Sequence, residues 1–190
     1  MKIQKMIKFN YILFLVAISL VLWSCEKAEV IPEMNYNRKA NELILQVISE
    51  EEDPKCNCIL EIPKESMVEI IKLERPFQFL AIRKDLIKDL ELNDESSLDS
   101  LIKVSNNFSL NEDLLNQKNI KLITHKMLDS ARKNKWANFF EICPNGYLFM
   151  QKPIFDKYYK TAVINVGYAG TCSPGSIRSY KFNDGKWISK

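Results

Sequence analysis

Thr161-Ala162-Val163-Ile164-Asn165-Val166-Gly167-Tyr168 is the stretch that decides the fold. Ala162, Ile164, Val166 and Tyr168 point one way. Thr161, Val163 and Asn165 point the other. That period of two marks a half-buried antiparallel strand. Around it, from Trp136 to Trp187, aromatics, glycines and turn residues recur at spacings that dictate structure. A short helix ends near Cys143, and strands follow at about Tyr147–Gln151, Thr161–Tyr168, Ser176–Phe182 and Lys186–Ser189. Asn183-Asp184-Gly185 closes a hairpin, since Asp-Gly readily adopts the positive φ of tight turns.

Working back from this sheet, Ile120-Lys121-Leu122-Ile123 reads as a strand entering the module. Thr124 caps the next helix, through Met127, Leu128 and Ala131, and Trp136, Phe139 and Phe140 continue its apolar stripe. Further back the pattern is mostly helical. Arg38–Glu50 places Leu43, Ile44, Val47 and Ile48 on one face behind an Asn37 cap. Cys58–Ile62 looks like a strand, and Ser66–Leu73 fits either a strand or a helical turn. Phe77–Leu92 turns helical through Ile82, Leu86, Ile87 and Leu90. Ser96-x-x-Asp99 resembles a capping box for a helix over Leu98–Val104. Asn111–Gln117 forms one more helical turn. The expected fold class is α+β, a mostly helical N-terminal half packed on a C-terminal antiparallel sheet of four or five strands. The sheet module covers about 119–189.

Residues 1–24 read as an export signal. Lys2, Lys5 and Lys8 supply the positive start, and Tyr11–Leu22 is an apolar run of 12 residues. A helix needs about 20 to cross the hydrocarbon core, so this run suits a signal rather than a span. Leu22-Trp23-Ser24-Cys25 then resembles the lipobox of bacterial lipoproteins. The resemblance implies cleavage between Ser24 and Cys25, and a diacylglycerol thioether on Cys25. Each buried methylene contributes about 0.8 kcal/mol, so two or three acyl chains hold a protein on a bilayer where one does not. Residues 25–37 form a polar tether, and 38–190 a single domain. The implied location is the cell envelope, lipid-anchored to a bacterial membrane, the outer membrane on its periplasmic or surface side. The expected partners are the membrane, through the lipid on Cys25, and an unidentified protein or small molecule.

The net charge of +3 belongs to the leader. Without Lys2, Lys5 and Lys8, 24 basic side chains face 24 acidic ones. That balance carries no nucleic-acid footprint. The charge is polarised all the same, at net −7 over 25–130 and +7 over 131–190. Two mutually attracting surfaces of one domain explain it, as does a basic face for an anionic partner.

Beyond Cys25 the chain holds four cysteines, Cys56, Cys58, Cys143 and Cys172. An even number in an exported domain points to disulfides. A Cys56–Cys58 ring would be small and strained, so each is expected to reach Cys143 or Cys172, or a single pair forms. Such a bridge closes a loop of roughly 90–115 residues, worth about 4 kcal/mol. Two other chemistries fit the same residues. One is a tetrathiolate zinc site, although Cys-x-Cys is tighter than the usual ligand spacing. The other is thiol exchange through Cys56 and Cys58.

His125, the one histidine, lies at a strand–helix junction without a nucleophile motif beside it. The acidic run Glu50–Asp53 lacks the oxygen-ligand spacing of a calcium loop. Trp187, Tyr180, Phe182 and Phe149 with Arg178 can line an aromatic-basic groove, unless a helix covers that face. No catalytic, cofactor or metal residues are assigned.

Several segments are similar to a set of Bacteroidetes envelope lipoproteins of unassigned activity. They are Ile120–Ile123, Trp136-x-x-Phe139-Phe140, Pro144 with Gly146, and Lys152-Pro153-Ile154-Phe155-Asp156. Ala162-Val163, Gly170-Thr171-Cys172 with Gly175, and Asn183-Asp184-Gly185-Lys186-Trp187 complete the match, over roughly 119–189. The resemblance implies a compartment and a fold, and no activity. The functional expectation is therefore an anchored envelope lipoprotein acting as a binding or interaction module. The alternative is an enzyme, thiol-redox active through Cys56 and Cys58.

Overall fold

The strand Thr161–Gly170 is buried over most of its length, and helices pack on both of its faces. The computed structural model describes residues 32–50, 56–170 and 175–190. Residues Glu33–Lys190 form one compact unit. In chain order the elements are α1 (Pro32–Glu50), β1 (Cys58–Leu60), α2 (Met67–Glu74), α3 (Phe79–Asp89), α4 (Glu95–Ser105) and α5 (Glu112–Gln117). Then come β2 (Lys121–Ile123), α6 (His125–Lys133), α7 (Phe139–Ile142), β3 (Gly146–Met150) and β4 (Ile154–Phe155). The chain closes with β5 (Thr161–Gly170), β6 (Ser176–Asn183) and β7 (Lys186–Ser189).

The strands join in one sheet of order β2-β1-β3-β5-β6-β7, with β4 also paired to β5. β1 runs parallel to both β2 and β3, through Ile59↔Leu122 and Ile59↔Leu148. The remaining pairs are antiparallel. This corrects the expected antiparallel sheet of four or five strands to a mixed sheet of seven. Beyond the five expected strands the sheet takes in β1, which the sequence marked as a strand outside the sheet module, and the two-residue β4. β1 and its neighbour β2 are each only three residues long. That length is too short to display a period, and parallel partners this far apart in sequence leave no turn signal between them.

The alternation of β5 is the expected one, and both of its faces are covered. Ala162, Ile164 and Val166 pack with Leu43, Ile44 and Val47 of α1. Val163 packs on the other side with Met67, Ile71, Leu86 and Leu98, which come from α2, α3 and α4. On that same side, nearer β1 and β2, Leu128, Ala131 and Phe139 of α6 and α7 pack on Cys58, Ile123 and Tyr147. The half-buried strand is thus a doubly buried one, with α1 on one face and α2, α3 and α4 on the other.

Several helix ends differ from expectation. α1 begins at Pro32, a residue that suits a first helical turn because its missing N–H is an orphan there anyway. Asn37 therefore lies inside the helix and within the stretch read as tether. It clamps the α4–α5 connection, taking the Ser109 N–H at 2.7 Å and donating to the Asn107 carbonyl. α4 starts at Glu95, capped by Asp94, whose carboxylate accepts the Ser97 N–H at 2.7 Å. Asp99 instead binds Arg83 of α3 at 2.9 Å. The capping box sits on α2, where Ser66 and Glu69 satisfy each other's backbone. The aromatic stripe is broken: α6 stops at Lys133, and Lys135, Trp136 and Asn138 all take positive φ. Phe139 is buried as a result, and Phe140 is left exposed.

The predicted hairpin forms with Asp184 at φ 48° and Gly185 at φ 82°. At the other end of the sheet Gly146 has φ +91°, and a Cβ there would meet the Ala169 carbonyl oxygen at 1.8 Å. No other residue type fits that position without moving a strand.

Candidate functional site

The cysteines come first, since they carry the sequence's only explicit chemistry. Cys58 and Cys143 form a disulfide with Cα atoms 5.9 Å apart and a sequence separation of 85. It ties β1 to the turn before β3. Cys56 is also disulfide-bonded. The two halves of Cys-x-Cys go to opposite sides of the sheet. Cys56 packs in the α1 cluster, while Cys58 packs with α6 and α7. Both are buried, so they do not present a paired, accessible dithiol. Ser24, Cys25 and Cys172 lie outside the described residues, as do Glu51, Glu52 and Asp53. Among the described residues no group of three or more His, Cys, Asp or Glu is placed to hold a metal. Nor is any helix among them long and apolar enough to cross a membrane.

The aromatic-basic groove is filled by α1. Tyr180 is fully buried, and its hydroxyl donates to Glu50 Oε2 at 3.0 Å. Burial, followed by the Glu50 carboxylate, pushes its phenol up to about 12. Lys39 of α1 stands 3.7 Å over the Phe182 ring. Trp187 is buried with its backbone clamped by Gln46, the N–H donating at 2.9 Å. Phe149 belongs to the opposite face, against Gly167, and Arg178 donates to the Tyr168 hydroxyl. Tyr180 and Trp187 are therefore core, while Phe149 stays partly exposed on the opposite face. His125 is exposed at the first position of α6, its backbone N–H donating to Glu61 at 3.4 Å.

Two features were not visible in sequence. The first is Lys152, only 4% exposed. Its ammonium donates to the backbone carbonyls of Lys64 and Asn106, tying the start of α2 to the end of α4. Burial lowers its pKa, and Glu69 and Glu65 oppose that shift. It borders a hollow of about 430 Å³ with Glu61, Ser109 and Glu112.

The second is a hollow of about 560 Å³ between the α3–α4 connection and the β4–β5 loop. Leu90, Leu92 and Leu101 supply its apolar lining, and Lys157, Lys160 and Lys181 its cations. The loop is fixed from within. The Asp156 carboxylate accepts backbone N–H bonds from Tyr158 at 3.2 Å, Lys160 at 2.6 Å and Thr161 at 2.7 Å. A pre-formed concavity of this size with apolar walls and a few polar groups is the usual shape of a small-molecule site.

An exposed apolar patch lies apart from both. Leu73, Phe77 and Leu80 at the α2–α3 corner are 76%, 101% and 67% exposed.

No family model, curated protein or solved structure matches this chain.

Proposed function

We propose that this protein is an envelope lipoprotein. In this reading its disulfide-tied body is tethered to a bacterial membrane through Cys25 and acts there as a binding module rather than a catalyst. The observation that carries the reading is the order of residues at the start of the chain. Three lysines, twelve apolar residues and Leu22-Trp23-Ser24-Cys25 follow one another. The Cys58–Cys143 bridge supports an oxidising compartment, where structural disulfides persist. On this reading Cys25 is taken by lipid, and Cys172 is left as the partner of Cys56. The start of β1, the start of β3 and the end of β5 lie at one end of the sheet, through Ile59↔Leu148 and Gly146↔Gly170. Cys172 follows Gly170 by two residues. The sequence resemblance of its C-terminal module to Bacteroidetes lipoproteins points the same way.

The binding-module reading rests on the chemistry of the described residues. The Cys-x-Cys sulfurs are separated across the sheet, and the exposed His125 has no nucleophile partnered to it. The hollow between the α3–α4 connection and the β4–β5 loop carries cations over an apolar floor.

Expression of the full chain and of Cys25→Ser in a bacterial host tests the anchor. The native chain is expected in the membrane fraction and the variant in the soluble envelope fraction or the medium. A variant that stays with the membrane, unchanged in size, removes the lipoprotein reading.

A further inference from the structure

The hollow between the α3–α4 connection and the β4–β5 loop is where charge, shape and rigidity coincide. Lys157 and Lys160 are carried on a turn whose backbone is locked onto the Asp156 carboxylate. Tyr159 within that turn takes φ 55° and stacks on Phe155 at 5.6 Å. Lys181 is fixed by the pairing of β5 with β6, directly opposite Thr161. The backbone thus fixes where all three lysine stems leave the chain at the edge of the hollow.

Among the described residues none of the three ammonium groups has an ion-pair partner. The carboxylates at the hollow are engaged. Glu91 is 3.6 Å from the Lys190 ammonium, and Asp156 is taken up by three N–H donors. Tyr158, 66% exposed, offers a ring face at the rim, with the Lys157 ammonium 4.8 Å from its centroid. Leu90 and its neighbours provide the apolar floor.

We propose that this hollow binds a small organic anion, with a carboxylate or phosphate set among Lys157, Lys160 and Lys181. A ring-sized body would lie against Tyr158 and the leucine floor. Ammonium groups are compact point charges that accept either anion. An aromatic face and apolar floor add selectivity for a ligand with a body over a bare ion. The inference names a ligand class for the proposed binding module and rests on that part of the proposal alone. The anchoring test is independent of it, so either can fail while the other stands.

The test is an isotope-edited NMR titration of the full chain in detergent. The probes are glucuronate, glucose 6-phosphate, inorganic phosphate and neutral glucose. At least one ring-bearing anion is expected to saturate, shifting the amides of Leu92, Tyr158, Lys160 and Thr161. Glucose is expected to leave them in place. The triple variant Lys157→Gln/Lys160→Gln/Lys181→Gln should bind at least about tenfold more weakly, with its unfolding midpoint unchanged because all three positions are exposed. Two results overturn the site: no saturable shift from either ring anion, or equal affinity in the triple variant. Inorganic phosphate binding as tightly as the ring anions overturns the role given to Tyr158 and the leucines.

Discussion

Removing the Cys58–Cys143 bridge is the most informative single perturbation of this fold. The two cysteines are 85 residues apart, and the segment between them holds six helices, from α2 to α7, and β2. In the chain-entropy model, closing a loop of that length removes about 15 cal/mol/K from the unfolded ensemble, or about 4.6 kcal/mol at 25 °C. Measured losses on removing native disulfides run at about 2–5 kcal/mol. Both residues are fully buried, so the double variant Cys58→Ala/Cys143→Ala also loses some sulfur packing, and the Cys56 bridge stays in place. With a urea dependence of about 2 kcal/mol per molar, the midpoint should fall by roughly 2 M. The dependence itself should steepen, because the uncrosslinked chain exposes more surface when unfolded. Equilibrium urea unfolding followed by tryptophan fluorescence measures both. A midpoint change below about 0.5 M would refute the reasoning, because the bridge would then not restrict the unfolded chain as the loop model requires.

Three other outcomes follow from named contacts. Lys152→Met removes the ammonium that donates to the Lys64 and Asn106 carbonyls. It should lower stability by about 1–3 kcal/mol in the same urea assay. The raised phenols make stability pH-dependent at the alkaline end. Below pH 10 Tyr180 is neutral whether folded or unfolded. Between pH 10 and about 12 the unfolded chain releases that proton while the folded one keeps it. Stability therefore falls with rising pH by up to about 1.4 kcal/mol per pH unit. Tyr36, whose pKa burial also raises, acts in the same direction, so Tyr180→Phe should flatten the decline without abolishing it. Phe77→Ser, at a fully exposed corner, should leave the midpoint within about 0.5 kcal/mol of the parent.

What sequence could reveal depended on how locally each feature is encoded. The alternation of β5 and the Asp184-Gly185 turn are local, and both appear where expected. The Thr124 cap is local too, its hydroxyl oxygen accepting the Met127 N–H at 3.2 Å. β1 and β2 are short parallel strands that become strands only by pairing across the chain, so their partners were invisible. The Trp136 stripe had helical spacing, but Lys135, Trp136 and Asn138 turn the backbone left-handed and re-aim Phe139 into the core. Cys56 and Cys58 read as a pair because they are two apart, yet a strand boundary sends them to different faces. The basic hollow unites residues from the α3–α4 connection, α4, the β4–β5 loop, the first residue of β5 and β6. Its only trace in sequence is the net positive charge of the C-terminal third.

That the mature chain begins at a lipid-modified Cys25 is the central claim. Tandem mass spectrometry of the N-terminal peptide from membrane-extracted protein tests it directly. The expected result is a peptide starting at Cys25 that carries a diacylglyceryl thioether, together with a Cys56–Cys172 crosslinked peptide. An intact Met1–Ser24 leader, an unmodified Cys25, or a Cys25–Cys56 disulfide would contradict it.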